Sequence, residues 1–140
     1  MDVDFKKFYK SIKTIAVVGA SDKVGHAGYH IPAYLKYFAH YKIIPVNPKI
    51  KKTLDEKVYP NLLSIPKGVK IDVVEIFRPS AKVFPHVQEA IKRGGIKTIW
   101  MQEGIISQAA AKLARKNGLE VVMDDCMMQE HIKTFKKNRP

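Results

Sequence analysis

The chain alternates between short apolar runs and longer stretches in which apolar residues return every three or four positions. The runs at 14–18, 41–46, 72–77, 97–101 and 119–123 are strand-length and nearly continuous in apolar residues. Between them, 29–38, 81–93, 107–117 and 125–135 carry helical periodicity, and 5–11 forms a short leading helix. In 29–38, Tyr34, Leu35 and Phe38 share one face. Boundary signals agree with this reading. Asn47-Pro48 and Arg78-Pro79 stop strands, while Gly94-Gly95 and Gly118 close helices. Ser80 is expected to cap the helix over 81–93, and Asp124 and Asp125 the last one. Residues 49–69, with turns at Pro60 and Pro66, are the least regular stretch and are expected to cross the sheet edge.

Strands without polar alternation are buried on both faces, and helices of ten or so residues between them imply parallel βαβ crossovers. The expected fold is α/β: a Rossmann-like, doubly wound sheet of about five parallel strands with helices on both faces. A length of 140 residues suits a single domain over 1–140, able to bury a core without disulfides.

Composition narrows the setting. There is one cysteine, Cys126, so no internal disulfide framework, which fits a reducing, cytoplasmic location. No apolar run reaches membrane-span length, and Met1-Asp2-Val3-Asp4 lacks the basic start of a signal peptide. The 25 basic against 13 acidic residues make a net charge of +12. That excess suits a polyanionic partner or a solvated lysine surface such as Lys92, Lys112 and Lys116. Nucleic acid is disfavoured as that partner, because the aromatic and zinc-knuckle signatures of such proteins are missing. The basic tail over 133–139 reads as a solvated helix end.

Candidate chemistry gathers just past the strands, where doubly wound sheets hold their ligands. The run Val17-Val18-Gly19-Ala20-Ser21 ends a buried strand in a small-residue turn before a helix, a geometry suited to a phosphate. It is neither G-x-x-x-x-G-K-[ST] nor G-x-G-x-x-G, and Gly19, Gly25 and Gly28 form only a loose variant. On its own the turn fits a cofactor site and an ordinary βα bend equally. After the second strand, NAD-binding folds usually place an acid, whereas this chain has Asn47-Pro48-Lys49 followed by Lys51 and Lys52. Cations there suit a phosphorylated ribose, as in NADP or coenzyme A. Arg78 adds a potential bidentate phosphate contact.

Several motifs occur in a fixed order: V-V-G-A-S at 17–21, Tyr34-Leu35, I-P-V-N-P at 44–48, V-Y-P at 58–60, I-D-V-V-E-I-F-R-P at 71–79, I-W-M-Q-E-G-I at 99–105 and C-M-M-Q-E-H at 126–131. In this order the chain resembles the small stand-alone coenzyme A-binding domains. These are similar to the CoA-binding Rossmann domain of acyl-CoA synthetases and of the succinyl-CoA synthetase alpha subunit. The resemblance implies a noncatalytic module for coenzyme A or acyl-CoA: a carrier, sensor or regulatory subunit. It implies that Gly19, Ala20 and Ser21 meet the pyrophosphate, and that Asn47, Pro48 and Lys49 flank the ribose or adenine. Phe77, Arg78 and Pro79 would line the crevice, and Gln102 would lie near the pantetheine. The family often carries Arg-Pro-Ser-Tyr where this chain has His26-Ala27-Gly28-Tyr29, so Lys23 or His26 would supply the missing charge. An NADP-dependent oxidoreductase is the alternative. A protein partner or homo-oligomer stays open.

No catalytic constellation is evident. His26, His30, His40, His86 and His131 are scattered over different elements, and Ser21 is not in a G-x-S-x-G elbow. Cys126 and His131 are five apart, on different faces of a helix, so no metal site is expected. Glu130 and His131 read as packing or pairing residues. Cys126 follows the fifth strand, where a mixed disulfide with a CoA thiol is one reading and a buried free cysteine the other.

Overall fold

The computed structural model describes residues 3–136. Helix α1 (Phe5–Ser11) leads into strand β1 (Thr14–Val18), and helix α2 (Ala27–Ala33) continues as a π turn over Tyr34–Phe38. Strand β2 (Lys42–Val46) is followed by a two-residue hairpin, β3 (Lys52–Thr53) and β4 (Glu56–Lys57). Then come β5 (Val73–Ile76), α3 (Val83–Arg93), β6 (Thr98–Met101), α4 (Gln108–Lys116), β7 (Glu120–Val122) and α5 (Met127–Lys136). Residues 137–139 of the basic tail lie outside the described residues.

The main sheet has the order β2-β1-β5-β6-β7, with every pairing parallel. This is the expected doubly wound architecture. Tyr59 adds one parallel bridge to Val46 at the outer side of β2, so the irregular stretch does run along the sheet edge. Counting Tyr59 as a rudimentary third strand, the order becomes the 3-2-1-4-5-6 of dinucleotide-binding folds.

Successive strand residues face opposite ways, which divides the core into two layers. Ala16, Val18, Ile44, Val74, Ile76 and Ile99 pack beneath α3 and α4, which contribute Val83, Val87, Ala110 and Ala114. On the other face Ile15, Val17, Ile43, Val73 and Trp100 pack against α1, α2 and α5 through Phe8, Tyr9, Ile31, Leu35 and Met127. The Trp100 Nε1 donates to the Asp125 carbonyl at 2.7 Å, and the Tyr9 hydroxyl to the Met127 carbonyl at 2.8 Å. Both bonds fasten the start of α5 to the buried aromatic layer.

Two capping expectations are corrected. Ser80 begins a 3-10 turn over Ser80–Lys82, and its hydroxyl accepts from the Ile106 N–H at 2.9 Å, so α3 starts at Val83. The neighbouring loop offered Ser80 a donor, and the tighter turn absorbed its capping position. The Asp124 carboxylate likewise accepts from the Gly104 N–H at 2.7 Å instead of capping α5. The Met127 N–H at the start of α5 goes to Gln102 Oε1 at 3.4 Å.

Candidate functional site

Past the ends of β1 and β5 the chain departs to opposite faces of the sheet, and a crevice opens between the two exits. Gly19 there has φ +86, and a β-carbon on it would sit 2.8 Å from the Phe77 carbonyl oxygen. Only glycine meets both demands. Gly28 performs the corresponding task at the start of α2, where a β-carbon would lie 2.9 Å from the Gly19 carbonyl oxygen. The two glycines press loop, helix and neighbouring strand exit together.

The loop from 19 to 28 is held from within. The Gly19 and Ala20 N–H groups donate to the Val46 carbonyl at 2.9 and 3.4 Å, and the Ser21 N–H to the Gly28 carbonyl at 3.0 Å. That last bond has its origin in Pro32, which has no N–H to give the carbonyl four residues earlier. Ser21 Oγ accepts from the Lys23 N–H at 3.0 Å and lies 3.5 Å from His26 Nδ1. The N–H groups of Asp22, Val24 and Gly25 have no protein partner among the described residues. Gly19, Ala20 and Ser21 therefore shape the loop, and its outer turn presents the open donors.

Asn47 joins two strand exits. Its Nδ2 donates to the Ala20 carbonyl at 2.8 Å, and its Oδ1 accepts from the Lys49 N–H at 2.8 Å. The β3–β4 hairpin lies against the same loop, with Thr53 Oγ1 donating to the Ser21 carbonyl at 2.9 Å. Lys36 pairs with Glu56 at 3.0 Å and donates to the Leu54 carbonyl, securing the hairpin from α2's extension.

A cavity of about 200 Å³ lies on the α3 side of these exits. Gly19, Asn47, Pro48, Lys49 and Arg78 from the sequence-derived set line it, and His86 and Glu89 of α3 join them. The Arg78 Nε is buried and makes no hydrogen bond among the described residues. Burial and the adjacent Arg78 charge hold His86 below the usual histidine pKa, with Glu89 acting in the opposite direction. Sequence reasoning missed both α3 residues. Their signal was a pair at i and i+3 on the helix entering from the β5 exit, a spacing that puts both on one face.

The remaining expected residues sit apart from that cavity. Lys23, His26 and Pro79 are exposed, and Phe77 is half-buried at the switch point. Gln102 is buried, with its Oε1 turned to the start of α5. Cys126 is 7% exposed and packed in the α1–α2–α5 layer. His131 packs edge-on against Tyr9 and bonds the Tyr34 hydroxyl at 2.9 Å, a packing role as its scattered position implied. Asp125 and Glu130 do pair: burial, then the hydrogen bond with Glu130, pushes the Asp125 carboxyl up to about 6.

A larger cavity of about 570 Å³ lies elsewhere, between α1 and the β7 edge, lined by Lys7, Ser11, Thr98, Arg115 and Glu120. Thr98 and Glu120 open their strands, so this cavity is at the amino ends of the sheet. Ligands of doubly wound sheets bind outside the carboxyl ends, which favours the smaller crevice.

Sheet order, switch point and crevice together define a Rossmann-like α/β domain with its polar groups gathered at the strand exits. Residues 13–132 match the family model described as the CoA binding domain, and the chain belongs to that family. It is 33% identical to the uncharacterized protein YneT of Bacillus subtilis over 131 residues, covering 94% of both chains. It is also 32% identical to the ADP-forming acetate–CoA ligase II of Archaeoglobus fulgidus, over 78% of this chain but only 17% of the ligase. A solved structure of a hypothetical protein from Pyrococcus horikoshii superposes with a TM-score of 0.88 at 37% identity, covering 94% of this chain and 89% of that one.

Proposed function

We propose that the protein binds coenzyme A or an acyl-CoA at the carboxyl ends of its parallel sheet and performs no reaction on it alone. It acts as a carrier, sensor or regulatory module in the cytoplasm. The observation that carries this reading is the crevice of Gly19, Asn47, Lys49 and Arg78, with a buried, unpartnered guanidinium nitrogen in its wall. A guanidinium whose buried Nε has no protein acceptor, and which forms no ion pair among the described residues, favours an anionic ligand. Membership of the CoA binding domain family supports coenzyme A as that anion.

The pyrophosphate lies against the loop over 19–28, taking open N–H groups at Asp22, Val24 and Gly25, with charge from Lys23 or His26. Asn47, Pro48 and Lys49 flank the ribose or adenine, and Phe77 and Pro79 border the crevice. Gln102 stands toward the pantetheine arm. The lysine-rich loop after β2 also fits NADP, but family membership does not favour that reading.

Thermal unfolding with CoA, acetyl-CoA, NADPH and NADH side by side tests the proposal. A ligand that binds only the native state raises its stability, by about 2.7 kcal/mol at a hundredfold excess over Kd. Stabilisation by CoA or acetyl-CoA is expected. A shift with NADPH and none with CoA would overturn it.

A further inference from the structure

Resting on the reading of the crevice as a CoA site, we propose that Arg78 and His86 seat a phosphate monoester, the 3′-phosphate of coenzyme A. His86 is then the residue by which the protein distinguishes CoA from 3′-dephospho-CoA.

Arg78 leaves the end of β5, His86 is the fourth residue of α3, and Lys49 follows β2; all three line one cavity. The Arg78 Nε is buried there without a hydrogen bond, and Arg78 forms no ion pair among the described residues. Glu89 borders the same cavity, but its Oε2 is turned to the Leu63 N–H at 3.2 Å. The cavity therefore holds a guanidinium that the nearby carboxylate does not pair with directly.

A phosphate monoester suits that arrangement better than a pyrophosphate does. Each pyrophosphate unit carries one charge and is served by backbone N–H groups at the outer loop turn. A monoester carries close to two charges at neutral pH and offers three acceptor oxygens. A guanidinium fork, an imidazole and an ammonium supply the matching donors from three different elements.

Histidine makes the site selective through its proton. Burial and Arg78 favour the neutral imidazole, while Glu89 opposes them. A dianion between Arg78 and His86 reverses the field, so His86 takes a proton from the buffer as the ligand enters. The ligand's own phosphate titrates in the opposite sense, losing any residual proton on meeting Arg78. Net proton uptake is thus diagnostic of the imidazole.

The test is calorimetric titration of the full chain with CoA and with 3′-dephospho-CoA near pH 7.5, in two buffers of different ionisation enthalpy, for the parent and for His86→Gln. The parent is expected to bind CoA about tenfold more tightly than the dephospho form, or better. It is expected to take up protons with CoA alone. His86→Gln should lose the uptake and most of the preference, and a parent-like circular dichroism spectrum and melting transition report that the variant is folded. Equal affinity for the two ligands, or a preference and uptake unchanged in His86→Gln, would overturn the inference and leave the CoA site standing. Binding of neither ligand would overturn both.

Discussion

The Gly19 backbone touches the carbonyl of Phe77 so closely that a β-carbon at Gly19 would lie 2.8 Å from that oxygen. The exits of β1 and β5 thus share one contact, and the crevice opens beside it. Gly19→Ala would meet both this clash and a φ of +86. The expected cost is on the order of 1–3 kcal/mol, together with weaker CoA binding. Chemical denaturation and ligand titration of the variant check it; parent-like values for both would contradict the contact.

Arg78→Ala separates affinity from stability. The guanidinium Nε is buried without a partner among the described residues, so its removal sacrifices no internal hydrogen bond. The variant without added ligand should melt near the parent temperature and bind CoA more weakly. Ser21→Trp, filling the loop instead, should also weaken binding with little change in fold, as circular dichroism would report. Unchanged affinity in both variants would mean that the crevice lies elsewhere.

Asn47 ties the β1 loop to the β2 exit through two side-chain bonds of 2.8 Å. Asn47→Ala strands the Ala20 carbonyl and the Lys49 N–H, at a cost of about 1–2 kcal/mol. Urea unfolding gives that number directly. A cost near zero would indicate that solvent replaces both partners.

Glu75 makes stability fall as pH rises from about 4.5 to about 8. It is fully buried on the central strand, both carboxylate oxygens lack a partner among the described residues, and burial raises its pKa from 4.5 to about 8. Between those values the folded chain holds a proton that the unfolded chain has released, so stability is lost as pH rises through the window. Glu75→Gln keeps the shape of the protonated acid and removes the titration. Its advantage in melting temperature over the parent should grow from pH 5 to pH 8. A constant difference across that range would contradict the assignment.

The strands, helices and sheet class were legible because apolar runs and helical periodicity report burial directly, and the motifs at 44–48 and 71–79 mark the strand exits that form the crevice. The hairpin at β3–β4 was not legible. Its turn places Leu54 and Asp55 at φ 55 and 59, a conformation that sequence patterns associate with glycine or asparagine. Burial of Leu54 and the Lys36 bond to its carbonyl hold the turn instead. Ser80 and Asp124 misled for a related reason, since a capping residue at a helix start can equally bond a neighbouring loop, as both do here. His86 and Glu89 were hidden because only tertiary packing sets α3 over the Arg78 exit.

The most direct measurement is an NMR amide-shift titration of the protein with coenzyme A. Shifts are predicted at Gly19, Ser21, Asn47, Lys49, Arg78 and His86, with Lys7, Thr98, Arg115 and Glu120 of the opposite cavity unmoved. Shifts confined to that second group, or none at saturating ligand, would contradict a CoA site at the carboxyl ends of the sheet.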